Sequence, residues 1–403
     1  MGDILFLAHR SPFPPDRGDK IRAYNVLKYL AARKRVHLVA FADDPRDLKH
    51  SKGLVSLTAS RSIIWRSKSR PKALVEALAQ RKPASLTAFD NRVMRDAVAD
   101  ILARRSIDTI YVFSGQMAQY LPAKTRARVV MDFCDMDSLK FADYGKGSRG
   151  LMRWLMQREA NLLFQFERQV ARRVDASLFV SEAEAELFRT RTGAANVQVV
   201  ENGIDTDFFD PAASFRHIDT TGKLIVFTGQ MDYRPNVEAV IWFAETVLPH
   251  IRLAHPDAVF AIVGRNPTDA VKALAKQDGV KVTGEVADVR PWLDAAACVV
   301  APLKIARGIQ NKVLEAMAAG KAVVATPQAL DGIGARVGAE VLCAADEARF
   351  ADTVSDVLEG RAPPDLGVRA RAYMVQRMRW SAQLAALDAI LEAPAPSSAQ
   401  AAA

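Results

Sequence analysis

The sequence predicts an α/β protein with two domains, each built on a doubly wound parallel sheet. Short apolar runs of strand length alternate with helical patterns along most of the chain, which is typical of parallel sheets with helices on both faces. A length of 403 residues exceeds one ordinary core, and at about 150 residues per domain it indicates two domains. Residues 211–222 lack an apolar period, so we interpret them as the linker.

The first predicted domain covers residues 1–210. It opens with a buried strand at Asp3–Ala8, a loop rich in Pro and Gly, and a helix from Ile21 to Leu30, and this order of strand, loop and helix then recurs. Further strands are predicted at 36–41, 62–65, 109–113, 129–133, 176–180 and 197–201, with helices at 86–104, 155–174 and 182–191.

The second predicted domain covers residues 223–378 and repeats the alternation. Its strands are predicted at 223–228, 258–263, 280–283, 297–302 and 322–326, and its helices at 236–254, 268–277, 289–295 and 311–319. A C-terminal helix is expected at 379–392. The Ala-, Pro- and Ser-rich residues 393–403 are expected to be disordered.

Several classes of protein are disfavoured by composition. No apolar run reaches the roughly 18 to 20 residues that span a bilayer, and the first residues carry no basic leader, so we expect a cytoplasmic protein. The three cysteines and six histidines show no spacing typical of a metal site. Neither a metal nor a cofactor is therefore predicted.

Charge is unevenly distributed along the chain. Residues 1–210 contain 35 Lys and Arg against 25 Asp and Glu, whereas the remainder contains 20 against 21. The basic half favours an anionic partner such as a membrane surface or a phospholipid-linked acceptor, although solubility alone would also explain it. Nucleic acid is disfavoured because no recognised nucleic-acid module or aromatic platform is present.

One basic segment is a candidate for peripheral membrane contact. Trp65–Lys72 is rich in cations and leads into Ala73–Lys82, which has an apolar stripe of Leu74, Val75 and Leu78. Such a segment suits an anionic interface. A helix that packs on its own sheet would show the same stripe, so both interpretations stay open.

The strongest chemical signal lies in residues 299–326. A strand ends in a loop that contains Arg307 and Gly308, and a helix begins near Gln310. Helix N-termini present unpaired N–H groups that bind phosphate, and Lys312 adds a full charge. Glu315 lies one turn further, where a carboxylate can accept hydrogen bonds from a ribose diol.

These residues resemble a known family. The run Gly308–Thr326 is similar to the nucleotide-sugar motif of the retaining GT-B glycosyltransferases of glycosyltransferase family 4, and three further segments match in order, namely Pro14–Gly18, Val199–Asp205 and Ala261–Gly264. More narrowly, three segments resemble sugar transferases of exosortase-associated exopolysaccharide systems: Asp132–Ser138, Phe227–Asn236 and Ala306–Asn311.

The resemblance implies a GT-B fold, with two Rossmann-like domains facing across a cleft. It also implies retaining, metal-independent transfer of a sugar from a nucleoside diphosphate sugar to an acceptor hydroxyl, either lipid-linked or on a growing exopolysaccharide. A nucleotide-sugar epimerase of the same fold is the alternative enzyme. A non-catalytic protein that binds anionic lipid is the alternative outside enzymes.

The resemblance also assigns candidate site residues. The expected donor-binding residues are Gly229, Arg234, Gly308, Ile309, Lys312 and Glu315, and the expected acceptor or phosphate loop contains Arg17 and Gly18. Arg307 stands where the family usually has the first of two glutamates. It is a candidate catalytic partner of the diphosphate, or else an exposed loop arginine.

Asp135 is the second candidate catalytic residue, placed to orient the acceptor hydroxyl or the transition state. Asp135 and Asp137 form a DxD sequence, which holds a divalent metal in another glycosyltransferase fold. Helix N-capping by either aspartate is an alternative. Asn236 precedes an apolar helical run, so we predict that it is an N-cap.

Overall fold

The computed structural model describes residues 2–49, 51–218, 222–306 and 309–392. The chain divides into two compact units, which are residues 2–202 with 383–392, and residues 203–382. The first unit thus ends eight residues before the predicted boundary at 210. Residues 203–210 belong to the second unit, and residues 383–392 belong to the first. The predicted tail at 393–403 lies outside the described residues.

The first unit contains a sheet of seven described strands, all parallel, in the order β3-β2-β1-β4-β5-β6-β7. The strands are β1 (Asp3–Ala8), β2 (Val36–Ala42), β3 (Ser60–Trp65), β4 (Ile107–Phe113), β5 (Arg128–Cys134), β6 (Ala176–Phe179) and β7 (Val197–Val199). Both β1 and β2 are almost wholly buried, as expected for central strands with helices on both faces.

Helices cover both faces of this sheet. They are α1 (Gly18–Ala31), α2 (Pro45–Lys49), α3 (Arg70–Gln80), α4 (Ala84–Ala88), α5 (Arg92–Arg104), α6 (Asp137–Lys146), α7 (Gly150–Ala171) and α8 (Glu182–Thr192), with 3-10 turns at Ser51–Leu54 and Gly115–Tyr120. The single helix predicted at 86–104 is two helices, because the Asn91 side chain accepts a hydrogen bond from the Met94 backbone N–H and starts α5 there.

The second unit contains a sheet of six described strands, also parallel, in the order β10-β9-β8-β11-β12-β13. The strands are β8 (Leu224–Thr228), β9 (Val259–Val263), β10 (Val280–Gly284), β11 (Cys298–Ala301), β12 (Val323–Ala325) and β13 (Leu342–Cys343). Two parallel α/β sheets confirm the predicted fold class.

The helices of the second unit also follow the predicted alternation. They are α9 (Arg234–Trp242), α10 (Leu248–Ala254), α11 (Asp269–Ala273), α12 (Arg290–Ala295), α13 (Asn311–Ala318), α14 (Pro327–Leu330), α15 (Glu347–Leu358), α16 (Leu366–Tyr373) and α17 (Trp380–Gln383), with a 3-10 turn at Leu274–Lys276 and π-helical turns at Phe243–Val247 and Met374–Met378.

The last described helix, α18 (Ala386–Glu392), packs with the first unit. Asp388 accepts hydrogen bonds from the Tyr29 hydroxyl at 2.9 Å and from Arg33 Nε at 2.6 Å. The Arg33 guanidinium also lies 3.4 Å from the centre of the Tyr29 ring. These contacts fasten α18 to α1. Within the described ranges, no helix is both long and apolar enough to cross a bilayer.

Candidate functional site

The strand order of the second unit indicates a candidate position for a ligand. The chain runs outward from β8 to β9 and β10, then returns to the other side of β8 to form β11. In open parallel sheets, ligands bind at the carboxyl ends of the strands where the order reverses. Gly229 follows β8, and the loop after β11 leads into α13. The strongest sequence signal therefore lies at the reversal.

Close backbone packing shapes this point and requires glycine twice. The Gly229 N–H donates to the Val263 carbonyl at 3.0 Å. A Cβ at Gly229 would lie 2.8 Å from Asn236 Nδ2, and a Cβ at Gly264 would collide with the Gly229 carbonyl oxygen. Glycine is required at both positions because protein atoms already occupy the space that each Cβ would take. Close approach of a ligand to Gly229 stays a prediction.

Lys312 points to the same place from the first turn of α13. Its Nζ donates to Asn236 Oδ1 at 2.8 Å and lies 5.0 Å from the centre of the Phe227 ring. Asn236 Nδ2 in turn donates to the Gln230 carbonyl at 2.8 Å. Burial lowers the pKa of Lys312 to about 8, against the opposing charge of Glu315. An anion bound beside Lys312 would stabilise the charged form of its ammonium and raise this pKa again.

Asn236 is a correction to the sequence prediction. Helix α9 begins at Arg234, so Asn236 lies inside the first turn rather than at the N-cap. Its side chain is buried and connects the turn after β8 to Lys312. An Asn before an apolar helical run occurs both at N-caps and at bridging positions such as Asn236. Only the contact with Lys312, 76 residues away, distinguishes the two roles.

Glu315 lies one helical turn after Lys312, on a helix whose other face is core. It is half-buried, and burial raises the pKa of its carboxyl despite the nearby Lys312. Within the described part of the chain, no hydrogen bond to its side chain is formed. A half-buried carboxylate of this kind is stabilised by external donors such as a diol.

Two other predicted donor residues are placed differently. Arg234 has an 84% exposed side chain that pairs with Glu238 at 2.7 Å, one turn along α9. Ile309 is partly buried, and its Cγ1 lies 3.4 Å from where a Cβ on Gly332 would be. Arg307 and Gly308, which the sequence also predicts at the site, lie outside the described residues.

Arg265 is a cation that the sequence interpretation missed. It follows β9, and its guanidinium lies against the side-chain amide of Gln230, in the turn after β8. Its backbone carbonyl also accepts from the Met231 N–H at 2.9 Å. Arg265 directly follows Gly264 of the Ala261–Gly264 match, which was the available signal.

The first unit reverses its strand order between β1 and β4, and a polar cluster that sequence reasoning missed lies there. His9 Nε2 lies 3.1 Å from Asp19 Oδ2, and its ring stacks on Phe113 at 5.8 Å. Arg10 pairs with Asp19 and, at 3.2 Å, with Asp43. Although burial opposes it, His9 and Arg10 hold the pKa of Asp19 well below its usual value.

Two atoms of this cluster, His9 Nδ1 and Asp43 Oδ1, lack a hydrogen-bond partner among the described groups. His9 Nδ1 is buried and forms no hydrogen bond with any described group. A signal existed in the sequence, since His9 and Arg10 directly follow the first strand, but adjacency to Asp43 depends on the pairing of β1 with β2.

Arg17 and Gly18 lie at the start of α1, beside this cluster. Arg17 Nε pairs with Asp19 Oδ1 at 3.1 Å, and nearly half of its side chain is exposed. Gly18 is the first helical residue, and open space surrounds the position that a Cβ would take. Sterics therefore do not require glycine at Gly18.

The aspartates at the end of β5 differ in burial, since Asp132 lies buried within the strand and Asp135 and Asp137 follow it and are partly exposed. Asp132 is fully buried and accepts from Arg22 Nε at 3.0 Å and from the Tyr111 hydroxyl at 2.7 Å. Arg22 also donates to Asn202 Oδ1 at 2.9 Å. This network joins β4, β5 and α1 to the end of the unit, which is a structural task.

Asp135 and Asp137 share one cation. Lys140 Nζ lies 2.8 Å from Asp135 Oδ2 and 3.2 Å from Asp137 Oδ1. Helix α6 begins at Asp137, and the N-cap is Met136, so the alternative of N-capping by either aspartate is wrong. Among the residues that the structure describes, no group of three or more His, Cys, Asp or Glu is placed to hold a metal ion.

Comparison with known families and structures agrees with this architecture. The family described as "Glycosyltransferase Family 4" matches residues 18–208, and "Glycosyl transferases group 1" matches residues 222–360. Sucrose-phosphate synthase from Thermosynechococcus elongatus superposes with a TM-score of 0.65 at 16% identity, covering 96% of this chain and 98% of that one. The chain is a GT-B glycosyltransferase.

Other solved structures share the fold of this glycosyltransferase. Anabaena HepE, crystallised with UDP-glucose, has a TM-score of 0.64 at 14% identity. The match covers 97% of this chain and 99% of the HepE chain. A glycosyltransferase from Rickettsia africae has a TM-score of 0.64 at 13% identity, with coverage of 97% and 98%. No curated protein matches the sequence significantly.

Proposed function

We propose that this glycosyltransferase uses a nucleoside diphosphate sugar and that its second unit binds the donor at the strand reversal beside β8. The observation that carries the proposal is the Lys312–Asn236–Gly229 arrangement, with Glu315 one turn away. A partly desolvated ammonium, bare glycine backbone and a carboxylate without a hydrogen-bond partner among the described side chains suit a diphosphate followed by a ribose.

In this arrangement the proposed residues divide between two tasks, which are binding the diphosphate and binding the ribose. Lys312 and the start of α13 bind the diphosphate, and Glu315 accepts hydrogen bonds from the ribose diol. Arg307, Gly308 and the Ile309 N–H are assigned to the same diphosphate, and Arg234 to its outer edge. Because HepE, which shares the fold, was crystallised with UDP-glucose, uridine diphosphate sugars are the first donors to test.

The reaction breaks the bond between the anomeric carbon and the diphosphate oxygen, and it forms a bond from that carbon to the acceptor oxygen. The nucleoside diphosphate departs with the bonding electrons, and the acceptor hydroxyl gives its proton to this leaving group. Negative charge therefore grows on the β-phosphate, where preorganised donors such as Lys312 stabilise it. Retention at the anomeric carbon and independence of metal belong to the proposal.

The acceptor is assigned to the first unit, which is the more basic half. Arg17, Gly18 and Asp135 are the proposed acceptor-side residues, and His9 joins them because its buried Nδ1 lacks a partner among the described groups. A lipid-linked saccharide or a growing exopolysaccharide is the proposed acceptor. We place the enzyme in the cytoplasm, in peripheral contact with the membrane.

Donor screening followed by product analysis tests this function. A panel of nucleotide sugars is ranked by thermal shift, and products with lipid-linked acceptors are identified by mass spectrometry. We expect a donor-dependent product that forms equally well with EDTA present. Conversion of the donor to its epimer without acceptor would instead identify an epimerase. Loss of turnover in EDTA that manganese restores would overturn metal independence.

A further inference from the structure

The turn between α6 and α7 exposes an unusual group of apolar and cationic side chains. Leu151 is 72% exposed, and Met152, Trp154 and Tyr144 are each more than half exposed. We call the following six residues the tip patch: Tyr144, Arg149, Leu151, Met152, Arg153 and Trp154. Exposed apolar side chains are common singly, but a cluster with tryptophan marks an interaction surface.

The helical hairpin holds the tip patch in place. Helices α6 and α7 pack closely, since a Cβ at Gly145 would lie 3.5 Å from Met156 Cβ. Further along α7, Glu159 accepts from the backbone N–H groups of Ala84 and Ser85 at 2.7 and 2.8 Å. The hairpin is therefore anchored through Glu159 within α7, whereas the first turn of α7 is exposed.

Charge at the tip patch has one sign. Residues 144–154 contain Lys146, Arg149 and Arg153 but no acidic residue. Lys146 pairs with Asp143 at 2.8 Å, whereas the Arg149 and Arg153 side chains form no ion pair with any described residue. A partner that matches this surface is apolar inside and anionic at its rim.

The neighbouring helix α3 contacts α7 beside Glu159 and carries the basic segment singled out in the sequence. Arg158 of α7 donates to the Ala77 carbonyl of α3 at 2.8 Å, and α3 buries Ala77 while it exposes Val75 and Leu78. The apolar stripe predicted for this segment is therefore largely exposed. Ala73 and Ala77 form the buried face of α3 instead.

The cations that precede α3 are less available than the sequence indicates. Arg66 pairs with Asp43 at 3.0 Å and Lys68 with Glu76 at 2.7 Å. Arg70 and Lys72 stay exposed. The segment thus offers two cations to a partner instead of four, so it is a weaker candidate for membrane contact than the tip patch.

We infer that the tip patch inserts into the surface of an anionic lipid bilayer, with Leu151, Met152 and Trp154 among the acyl chains and Arg149 and Arg153 at the headgroups. Tryptophan favours the membrane interface because one part of its ring is apolar and one part can donate a hydrogen bond. Arginine beside it gains from anionic headgroups. The inference deepens the proposed function, in which the acceptor is lipid-linked, but binding is measured without donor or turnover.

The test is co-sedimentation of the full chain with phosphatidylglycerol-rich vesicles and with phosphatidylcholine vesicles. Wild type should bind the anionic vesicles, and a Leu151→Ser, Met152→Ser, Trp154→Ser variant should bind at least about tenfold less. Arg149→Gln with Arg153→Gln should lose a similar factor and much of the salt dependence. A matched control carries serine at Leu253, Val337 and Val368, which are exposed apolar residues of the second unit, and should bind like wild type.

Tryptophan fluorescence gives an independent measurement. Anionic vesicles should shift the emission of wild type to shorter wavelength, and Trp154→Phe should abolish the shift. Equal vesicle binding by wild type and the triple serine variant would overturn the proposal. Concentration-dependent dimers that the triple variant loses, without vesicle binding by wild type, would also overturn it and assign the tip patch to a second copy of the chain. A normal unfolding temperature confirms that each variant is folded.

Discussion

The two units reverse their strand order once each, beside β1 in the first and beside β8 in the second, and the charged groups at these two points differ. In the first unit, Arg10 pairs with Asp19 and Asp43, and His9 contacts Asp19, all at 3.2 Å or less. In the second, Lys312 is held by the neutral Asn236. Equivalent places in similar sheets therefore carry paired charges in the first unit and, in the second, a cation that forms no ion pair with any described residue.

This difference explains the roles assigned to the two units. A paired network fixes side chains in place and suits the recognition of neutral hydroxyls. A cation whose pKa burial has lowered to about 8 gains most from an anionic ligand. The comparison supports the proposed placement of the donor diphosphate in the second unit. The changes below test this contrast between the units, from the largest expected effect to the smallest.

Asp132→Ala should destabilise the first unit strongly. Removing this carboxylate leaves the Arg22 guanidinium buried without its partner, which costs about 3 to 5 kcal/mol in the free energy of unfolding. Urea denaturation measures the loss. Asp135→Ala, on the same strand end but at the surface, should cost less than about 1 kcal/mol. Unchanged stability of Asp132→Ala together with lost transfer would make Asp132 a catalytic residue instead.

Lys312→Met should lower the rate of transfer by about 10² to 10³, because the leaving diphosphate loses one preorganised donor. Lys321→Met is the matched control, since Lys321 lies just after α13 and burial also lowers its pKa. We expect that control to keep the wild-type rate per folded molecule. Steady-state kinetics with saturating donor measures both, and equal losses in the two variants would remove Lys312 from the site.

Donor affinity should fall as pH rises above 8. Free Lys312 loses its proton near pH 8, whereas a bound diphosphate raises that pKa, so binding takes up a proton above this pH. Affinity for UDP should then weaken by up to about tenfold per pH unit. Lys312→Arg keeps its charge and should show no such decline. A flat wild-type profile between about pH 7 and 9.5 would contradict the assignment.

Asp388→Asn should have the smallest effect. The ion pair with Arg33 is largely exposed, so its loss costs less than about 1 kcal/mol. Hydrogen exchange should accelerate in residues 386–392 and leave β1 unchanged. Because the pKa of Asp388 is lowered by Arg33 and Tyr29, this contribution is lost as pH falls through that pKa. Unchanged exchange would mean that other contacts hold α18.

Much of the fold follows from local pattern. The buried strands β1, β2 and β8 are continuous apolar runs, and the helices between strands carry regular periods, so their order was predictable. The domain boundary was not, because residues 203–210 pack with the second unit through distant partners, such as the Arg371 guanidinium that donates to the Phe209 carbonyl at 3.0 Å.

The candidate site was predictable only in part. Gly229, Lys312 and Glu315 belong to motifs that are local in sequence. Asn236 and His9 act through residues on other strands and helices, which no local spacing records. The tip patch was missed for a related reason, since Leu151 and Trp154 match a helix that is buried along one face, and only the structure shows that the first turn is exposed.

The most direct test of the central claim is the affinity of Glu315 variants for UDP and for UDP lacking both ribose hydroxyls, measured by titration calorimetry. We predict that Glu315→Ala weakens UDP binding by about 1.5 to 3 kcal/mol, the value of a hydrogen bond to a charged group. Glu315→Gln should retain part of this affinity. The nucleotide without the diol should bind wild type and Glu315→Ala equally. Wild-type affinity of Glu315→Ala for UDP, or an equal loss with both nucleotides, would contradict a ribose contact at Glu315 and with it the donor site in the second unit.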